Sequence, residues 1–243
     1  MSNSGNDILS SELEQIRFAL HAAADDAVRK TGSRFFKEPV LSHGVKITTV
    51  SAIAREVIQR LGHVAKRDIF ALCGNLWQSG FLEEGIIACN LAHSRQKEYE
   101  RADFDLFESW VDQYITNWAT CDTLCNHTIG DFVMAFPEYV EALKLWTSSE
   151  NRWKKRAASV TLIVPARKGH FLTDIFTIAD NLISDSDDLV QKGYGWMLKC
   201  ASQAHQRDVF EYLMERKAVM PRTAFRYALE KMPKEMRTIA MKK

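Results

Sequence analysis

The sequence lacks the patterns that identify disulfide-rich, zinc-ribbon and membrane-spanning proteins. Its five cysteines include no C-x-x-C pair, and an odd number of thiols does not build a disulfide framework. Apolar runs such as 160–164 are far shorter than the roughly 20 residues that cross a bilayer. Residues 1–16 carry acidic side chains but no Lys or Arg, unlike a secretory leader. We therefore expect a cytoplasmic protein with buried thiols and no membrane contact.

Signatures of the common enzyme classes are also missing. The chain has no G-x-S-x-G, no Gly-rich phosphate loop and no H-E-x-x-H, and its seven histidines are scattered. Cys121, Cys125 and His127 form a C-x3-C-x-H pattern, which lacks the usual zinc spacing and a fourth local ligand. The sequence therefore predicts neither a metal site nor a cofactor.

What the chain does contain is helical periodicity along almost its whole length. Apolar residues recur at helical spacing, and no run of strict alternation indicates a strand. Asn151 and Asp187 stand at N-cap positions before such segments, and Ser11 with Glu14 fits a capping box. We predict an all-α protein.

Four segments line up at intervals of 36 residues and indicate an internal repeat. They share small residues at one position, which would let neighbouring helices approach closely, and this position is occupied by Gly85, Cys121, Ala157 and Gly193. The spacing is typical of HEAT-like helix pairs, which stack into a solenoid with a concave groove suited to a long ligand. We predict a single domain over 1–243, with an N-terminal helical extension of about 1–33 and an irregular stretch from Gly32 to Thr48.

Charge is distributed unevenly along this chain of net charge +1. Residues 1–150 hold 14 basic and 21 acidic side chains, whereas residues 151–243 hold 18 basic and 10 acidic ones. A basic C-terminal part favours contact with a polyanion such as DNA. The simpler interpretation is a solvated surface on which charges cluster by chance.

Three segments combine aromatic residues with charge. Trp118 and Asp122 are four residues apart, hence on one helix face. Trp153 precedes the basic turn 154–156, and Gly195 precedes Trp196 within a helical pattern, where glycine costs about 1 kcal/mol relative to alanine. Taken singly, the first two are better explained by a core tryptophan beside solvated charges, and Gly195 by close packing of helices.

Taken in order, these segments resemble the DNA alkylation repair glycosylases built from HEAT-like repeats, the AlkD type. The resemblance rests on Trp118 with Asp122, on W-x-x-R-A-A from Trp153, and on Q-K-x-x-G-W from Gln191. It extends from about Phe35 to Lys231 and includes the aromatic, lysine and apolar-Gly-apolar segment "RFFKEPVLSHGVK".

The resemblance implies removal of cationic N3- or N7-alkylated purines from duplex DNA, without insertion of the base into a pocket. By residue-to-residue correspondence, Asp122, Trp118 and Trp196 would be catalytic, and Arg156 would lie in the DNA cleft. The further residues expected to bind DNA are Lys154, Lys155, Phe35, Lys37 and Lys192. Phe35 stands where the family often has a tyrosine, so a hydroxyl is missing there. Double-stranded DNA is the expected partner, and a monomer is expected.

Two alternatives remain at this stage. The chain could be a member of the same family that binds DNA without excising a base, or a helical-repeat scaffold for protein partners whose tryptophans are core residues. Asp122→Asn and Arg156→Ala separate the three, because only a glycosylase has an activity for the first substitution to remove.

Overall fold

The computed structural model describes residues 3–242, with side chains from Leu9 onward. Every regular element within that range is helical, which confirms the predicted all-α class and is consistent with a helical-repeat fold. The chain divides into two compact units, Met1–Leu124 and Cys125–Lys243. The single-domain assignment stays a prediction.

The first unit contains seven α-helices and a 3-10 turn at Gln96–Glu98. The helices are α1 (Asn3–Ala22), α2 (Asp26–Ser33), α3 (Ile47–Arg60), α4 (Lys66–Gln78), α5 (Leu82–His93), α6 (Asp103–Tyr114) and α7 (Trp118–Thr123). Helices α4 and α5 pack together at the centre, and α1, α3, α6 and α7 pack around them. The rings of Phe70, Phe107 and Trp110 meet at centroid distances of 5.6–5.8 Å and anchor α6 to α4.

The second unit is built around one long helix. Its helices are α8 (Gly130–Ala135), α9 (Val140–Trp146), α10 (Arg152–Val160), α11 (Ile163–Arg167), α12 (Leu172–Leu182), α13 (Asp188–Ala201), α14 (Gln206–Glu215), α15 (Arg222–Leu229) and α16 (Lys234–Met241). Helix α13 contacts α10, α11, α12, α14 and α15. It buries Val190, Tyr194, Met197 and Leu198 completely, so it forms the core of this unit.

Two of the predicted helix starts are confirmed and one is wrong. The side chain of Asn151 accepts a hydrogen bond from Trp153 N, and that of Asp187 accepts from Leu189 N and Val190 N. Ser11 does not begin a helix, because α1 starts eight residues earlier at Asn3 and continues to Ala22. The irregular stretch is also shorter than predicted, since Gly32 belongs to α2 and α3 begins at Ile47.

The small residues at the repeated position are buried, as the sequence predicts. A Cβ atom on Gly85 would lie 2.8 Å from the ring of Trp77, and one on Gly193 would lie 2.8 Å from Ser159 Oγ. Contacts below 3.0 Å force something to shift, so glycine is required for α5 to approach α4 and for α13 to approach α10. All five cysteines are buried, and none of them forms a disulfide.

Candidate active site

Helix α7 carries the predicted tryptophan and aspartate on adjacent turns. Asn117 begins the helix: its backbone is extended and its side chain accepts a hydrogen bond from Thr120 N at 3.0 Å. Trp118 is half-buried, and only 9% of Asp122 is exposed. Because residues four apart share a helix face, the sequence pattern places this buried carboxylate next to the indole.

A π-helical segment, Leu124–Ile129, directly follows α7. Such segments are rare and are frequently found at functional sites. Gly130 directly follows the segment and begins α8, and a Cβ atom there would lie 3.0 Å from the Thr161 carbonyl oxygen. No sequence pattern indicated this feature, which lies within two residues of Asp122.

Trp118 is held by two consecutive phenylalanines. Its ring stacks on Phe36 at a centroid distance of 5.4 Å and an interplanar angle of 24°. Its indole Nε1–H donates to the Phe35 carbonyl oxygen at 3.2 Å. The side chain of Phe35 is 71% exposed, so Phe36, which sequence reasoning missed, is the aromatic partner of Trp118. Lys37, the next residue, is also exposed.

In the second unit the predicted basic residues lie on two helices that pack together, α10 and α13. Arg156 is only 5% exposed, and its Nη1 donates to the Leu189 carbonyl oxygen. Its side chain runs past Gly193, where a Cβ atom would lie in ordinary van der Waals contact, 3.4 Å from Arg156 Cγ. The buried guanidinium therefore joins α10 to the first turn of α13.

The three lysines beside Arg156 also have partners within the unit. Lys155 pairs with Asp185 at 2.9 Å, and Lys192 pairs with Asp188 at 3.0 Å. The ammonium of Lys154 lies 5.7 Å from the centre of the Trp146 ring, within range of a cation–π interaction. For Lys155 and Lys192, a phosphate contact would therefore replace an ion pair.

Trp196 lies on α13 and is half-buried, with the Lys199 ammonium 6.0 Å from its ring centre. The neighbouring Gly195 allows α15 to approach, because a Cβ atom there would lie 2.8 Å from the Ala224 carbonyl oxygen. The predicted residues thus fall into two sets. Phe35, Lys37, Trp118 and Asp122 belong to the first unit, and Lys154, Lys155, Arg156, Lys192 and Trp196 belong to the second.

The part of the chain that the structure describes lacks two further features. None of its helices is long and apolar enough to cross a membrane. Within residues 3–242, no three His, Cys, Asp or Glu side chains gather as metal ligands would.

Comparison with known proteins identifies the family. None of the curated protein sequences matches the chain. A solved structure described as a predicted DNA alkylation repair enzyme from Enterococcus faecalis is similar, with a TM-score of 0.77 over 87% of this chain and 97% of that one. Their sequences are 17% identical, so this likeness shows the fold. The sequence model of the DNA alkylation repair enzyme family matches residues 16–232, and the chain therefore belongs to that family.

Proposed function

We propose that the protein is a DNA glycosylase that hydrolyses the N-glycosidic bond of cationic N3- and N7-alkylated purines in duplex DNA. One observation carries the proposal: Asp122, in a chain of the DNA alkylation repair enzyme family, is a buried carboxylate one helical turn from an aromatic ring. Release of the base would leave an abasic site and so begin base excision repair.

The chemistry explains why a single carboxylate suffices. A purine alkylated at N3 or N7 is already positively charged and leaves as a neutral base, so it needs no general acid, unlike the leaving group in a two-carboxylate glycosidase. As the bond stretches, positive charge develops on the sugar, and Asp122 would stabilise that charge and align the attacking water. Aromatic faces attract cations, and the proposal gives this role to Trp118 and Trp196.

Recognition through charge and backbone, without insertion of the base into a pocket, follows from the family resemblance. In the proposal Arg156, Lys154, Lys155, Lys37 and Lys192 contact phosphates, and Phe35 offers an exposed ring to the DNA. Enclosure of the base is then unnecessary, which predicts tolerance of bulky adducts. This departs from enzymes that flip the base out of the stack.

The test is release of 7-methylguanine from methylated duplex DNA at low salt by the parent protein and by Asp122→Asn. We expect the substitution to slow release at least about a hundredfold, the usual effect of removing one electrostatic stabiliser of a transition state, while DNA binding is retained. Asp105→Asn, at an exposed position of α6, is the matched control and should release base at the parent rate. Equal release by parent and Asp122→Asn would refute the assignment of Asp122.

DNA binding without excision is the second candidate function. The observation that favours it is Phe35, which is 71% exposed and stands where the family often has a tyrosine, so that its ring offers no hydroxyl. In that case the parent protein would bind duplex DNA but release no methylated base. A protein scaffold would do neither.

A further inference from the structure

The segment that reaches Trp118 is a small hairpin, residues 25–45, which we call the α2 hairpin. It consists of α2 and the irregular segment that follows it. Its two ends are joined by a hydrogen bond from Asp25 N to the Gly44 carbonyl oxygen, at 3.0 Å. Arg29 of α2 donates to the carbonyl oxygens of Ser42 and His43 at 3.1 and 2.9 Å. Gly44 has a φ of +81°, and a Cβ atom there would lie 2.6 Å from the Asp25 carbonyl oxygen, so no other residue fits this closure.

Apolar burial does not explain where this hairpin sits. Helix α2 has no buried residue, whereas surface helices usually dock through an apolar stripe. Apart from its last residue, the buried Val45, the hairpin is therefore positioned by specific contacts at its two ends.

Glu83, the second residue of α5, forms the contact at the base of the hairpin. The residue is 3% exposed, and its Oε1 accepts from Ser42 Oγ at 2.7 Å, Gly44 N at 2.9 Å and Val45 N at 3.0 Å. Its Oε2 accepts from His43 N at 2.9 Å. One carboxylate thus satisfies three consecutive backbone N–H groups, an arrangement that depends on its two charged oxygens.

Neighbouring residues of α5 complete the base. Leu82 N donates to the Leu41 carbonyl oxygen at 2.9 Å. The His43 ring stacks on Phe81 at 3.9 Å and lies 3.2 Å from Glu84 Oε1. The hairpin is therefore fixed at its base to the beginning of α5.

The other end of the hairpin meets the candidate active site. Phe35 N and Phe36 N donate to Gly32 O and Ser33 O, so both residues continue the last turn of α2. There the Phe35 carbonyl oxygen accepts a hydrogen bond from the Trp118 indole N–H, and the Phe36 ring stacks on the indole ring. A shift of the hairpin at its base would therefore change what holds Trp118.

We propose that Glu83 is a positioning residue that, through the α2 hairpin, fixes the Trp118 indole beside Asp122. Its contribution to base excision rests on the proposed function, whereas its hold on Trp118 does not. Nothing in the amino-acid pattern around Glu83 indicates this role, because its partners lie about 40 residues away in the sequence.

Glu83→Gln tests the proposal with little change of shape. One carboxylate oxygen becomes an NH2 group, which faces the His43 N–H or its neighbours and cannot accept from them. We expect excision of 7-methylguanine to fall about tenfold, equivalent to 1.36 kcal/mol in the barrier. The matched control is Glu12→Gln, because Glu12 is also buried, at 5% exposure, but pairs with Arg60 of α3. The control should excise at the parent rate.

A double-mutant cycle distinguishes positioning from general stabilisation. Because the hairpin holds Trp118 through both the Phe35 carbonyl and the Phe36 ring, Glu83→Gln combined with Trp118→Ala should excise no more slowly than Trp118→Ala alone, since coupled residues are non-additive. Effects that multiply would overturn the proposal. Ser42→Ala removes one of the four bonds to Glu83 and should give a smaller loss of about threefold; it replaces Glu83→Gln if that variant does not fold.

Solvent exchange of the Trp118 indole N–H provides a readout independent of activity. In protein with isotope-labelled tryptophan, its resonance is assigned by its loss in Trp118→Phe. We expect exchange at least about tenfold faster in Glu83→Gln and unchanged in Glu12→Gln. Parent-like protection in Glu83→Gln would overturn the proposal. If the parent excised no base, the proposed function would fail, yet this exchange would still decide whether Glu83 holds Trp118.

Discussion

At the scale of the residue, two helical glycines differ in what surrounds the missing side chain. A Cβ atom on Gly195 of α13 would lie 2.8 Å from Ala224 O and 2.9 Å from Tyr227 Cβ, whereas one on Gly74 of α4 would meet nothing within 4 Å. Gly195→Ala should therefore lower the free energy of unfolding by about 1–3 kcal/mol through overpacking. Gly74→Ala should raise it by up to about 1 kcal/mol, because alanine favours the helix.

Chemical denaturation of the two variants beside the parent checks this pair. Both substitutions add one methyl group to a helix, so their helix propensities change equally and the difference between them reports the packing of α15 on α13. Equal effects of the two would show that α15 does not approach α13 as closely as the structure has it.

How far a site residue could be predicted depends on the sequence distance of its contacts. Trp118 and Asp122 were predictable as neighbours, because helical periodicity alone puts residues four apart on one face. The stacking of Phe36 on Trp118 could not be predicted, because the two residues are 82 positions apart in the sequence. The sequence around the consecutive Phe35 and Phe36 also does not indicate which of the two rings meets the indole. Burial of Arg156 depends on a carbonyl 33 residues away, which no local pattern reports.

At the scale of the element, the stability of helix α13 depends on the N-cap residue that the sequence predicts, Asp187. Asp187 accepts from Leu189 N and Val190 N and pairs with Arg152 of α10 at 2.8 Å. Asp187→Ala should lower the free energy of unfolding by about 1–2 kcal/mol, since it leaves first-turn N–H groups without their acceptor. Asp208→Ala, an exposed first-turn aspartate of α14, should change it by less than about 0.5 kcal/mol in the same denaturation experiment. Similar losses in both would contradict the cap.

Capping patterns were informative only where a tertiary contact supported them. Asp187 and Asn151 both cap helices that pack on one another. Ser11 and Glu14 have an equally good local pattern, yet the helix runs through them, and the Ser11 hydroxyl accepts from Gln15 Nε2 at 3.3 Å within α1. Serine is tolerated inside a helix when its neighbours bury an apolar face, here Ile16 and Leu20.

The contact between α5 and the α2 hairpin should make stability depend on pH. Burial raises the pKa of the Glu83 carboxyl, but hydrogen bonds from Val45, Ser42 and His43 outweigh it and hold that pKa below its ordinary value. The pKa of this carboxyl is about 4.3 in the unfolded chain and lower in the folded protein. The ionised carboxylate therefore stabilises the folded protein at pH values above about 4.3, and this stabilisation is lost as the pH falls through the pKa of the folded protein.

Unfolding free energies of the parent and Glu83→Gln at pH values from about 7 to about 3 test this linkage. The parent should be the more stable at neutral pH, and the difference should shrink below about pH 4.3. Glu141→Gln, at an exposed pair on α9, is the control and should change the free energy of unfolding by less than about 1 kcal/mol. A parent-to-Glu83→Gln difference that stayed constant with pH would contradict the role of the charge.

At the scale of the whole molecule, the sequence predicted the fold class and the family but not the division into units. Helical periodicity continues across residue 124, where the two units meet along the chain, so periodicity gives no boundary. The 36-residue spacing did mark helix starts, since α5 and α7 begin 36 residues apart, at 82 and 118, and so do α10 and α13, at 152 and 188. Helices α10 and α13 both start two residues early for the register of α5 and α7, directly after their caps Asn151 and Asp187.

The basic C-terminal part makes a quantitative prediction for DNA binding. Each phosphate contacted contributes about −0.9 to the slope of log affinity against log salt concentration. Five basic residues are proposed to contact phosphates, but two of them, Lys155 and Lys192, already pair with aspartates. When such a lysine exchanges its aspartate for a phosphate, we expect fewer counterions to be released in total. We therefore expect a slope between about −2 and −4, measured by fluorescence anisotropy with a short duplex.

Lys154→Gln should make the slope shallower by about one unit, whereas Lys97→Gln, in an exposed 3-10 turn of the first unit, should leave it unchanged. Equal effects of the two would mean that binding follows net charge, and a slope near zero would remove phosphate contact from the proposed function.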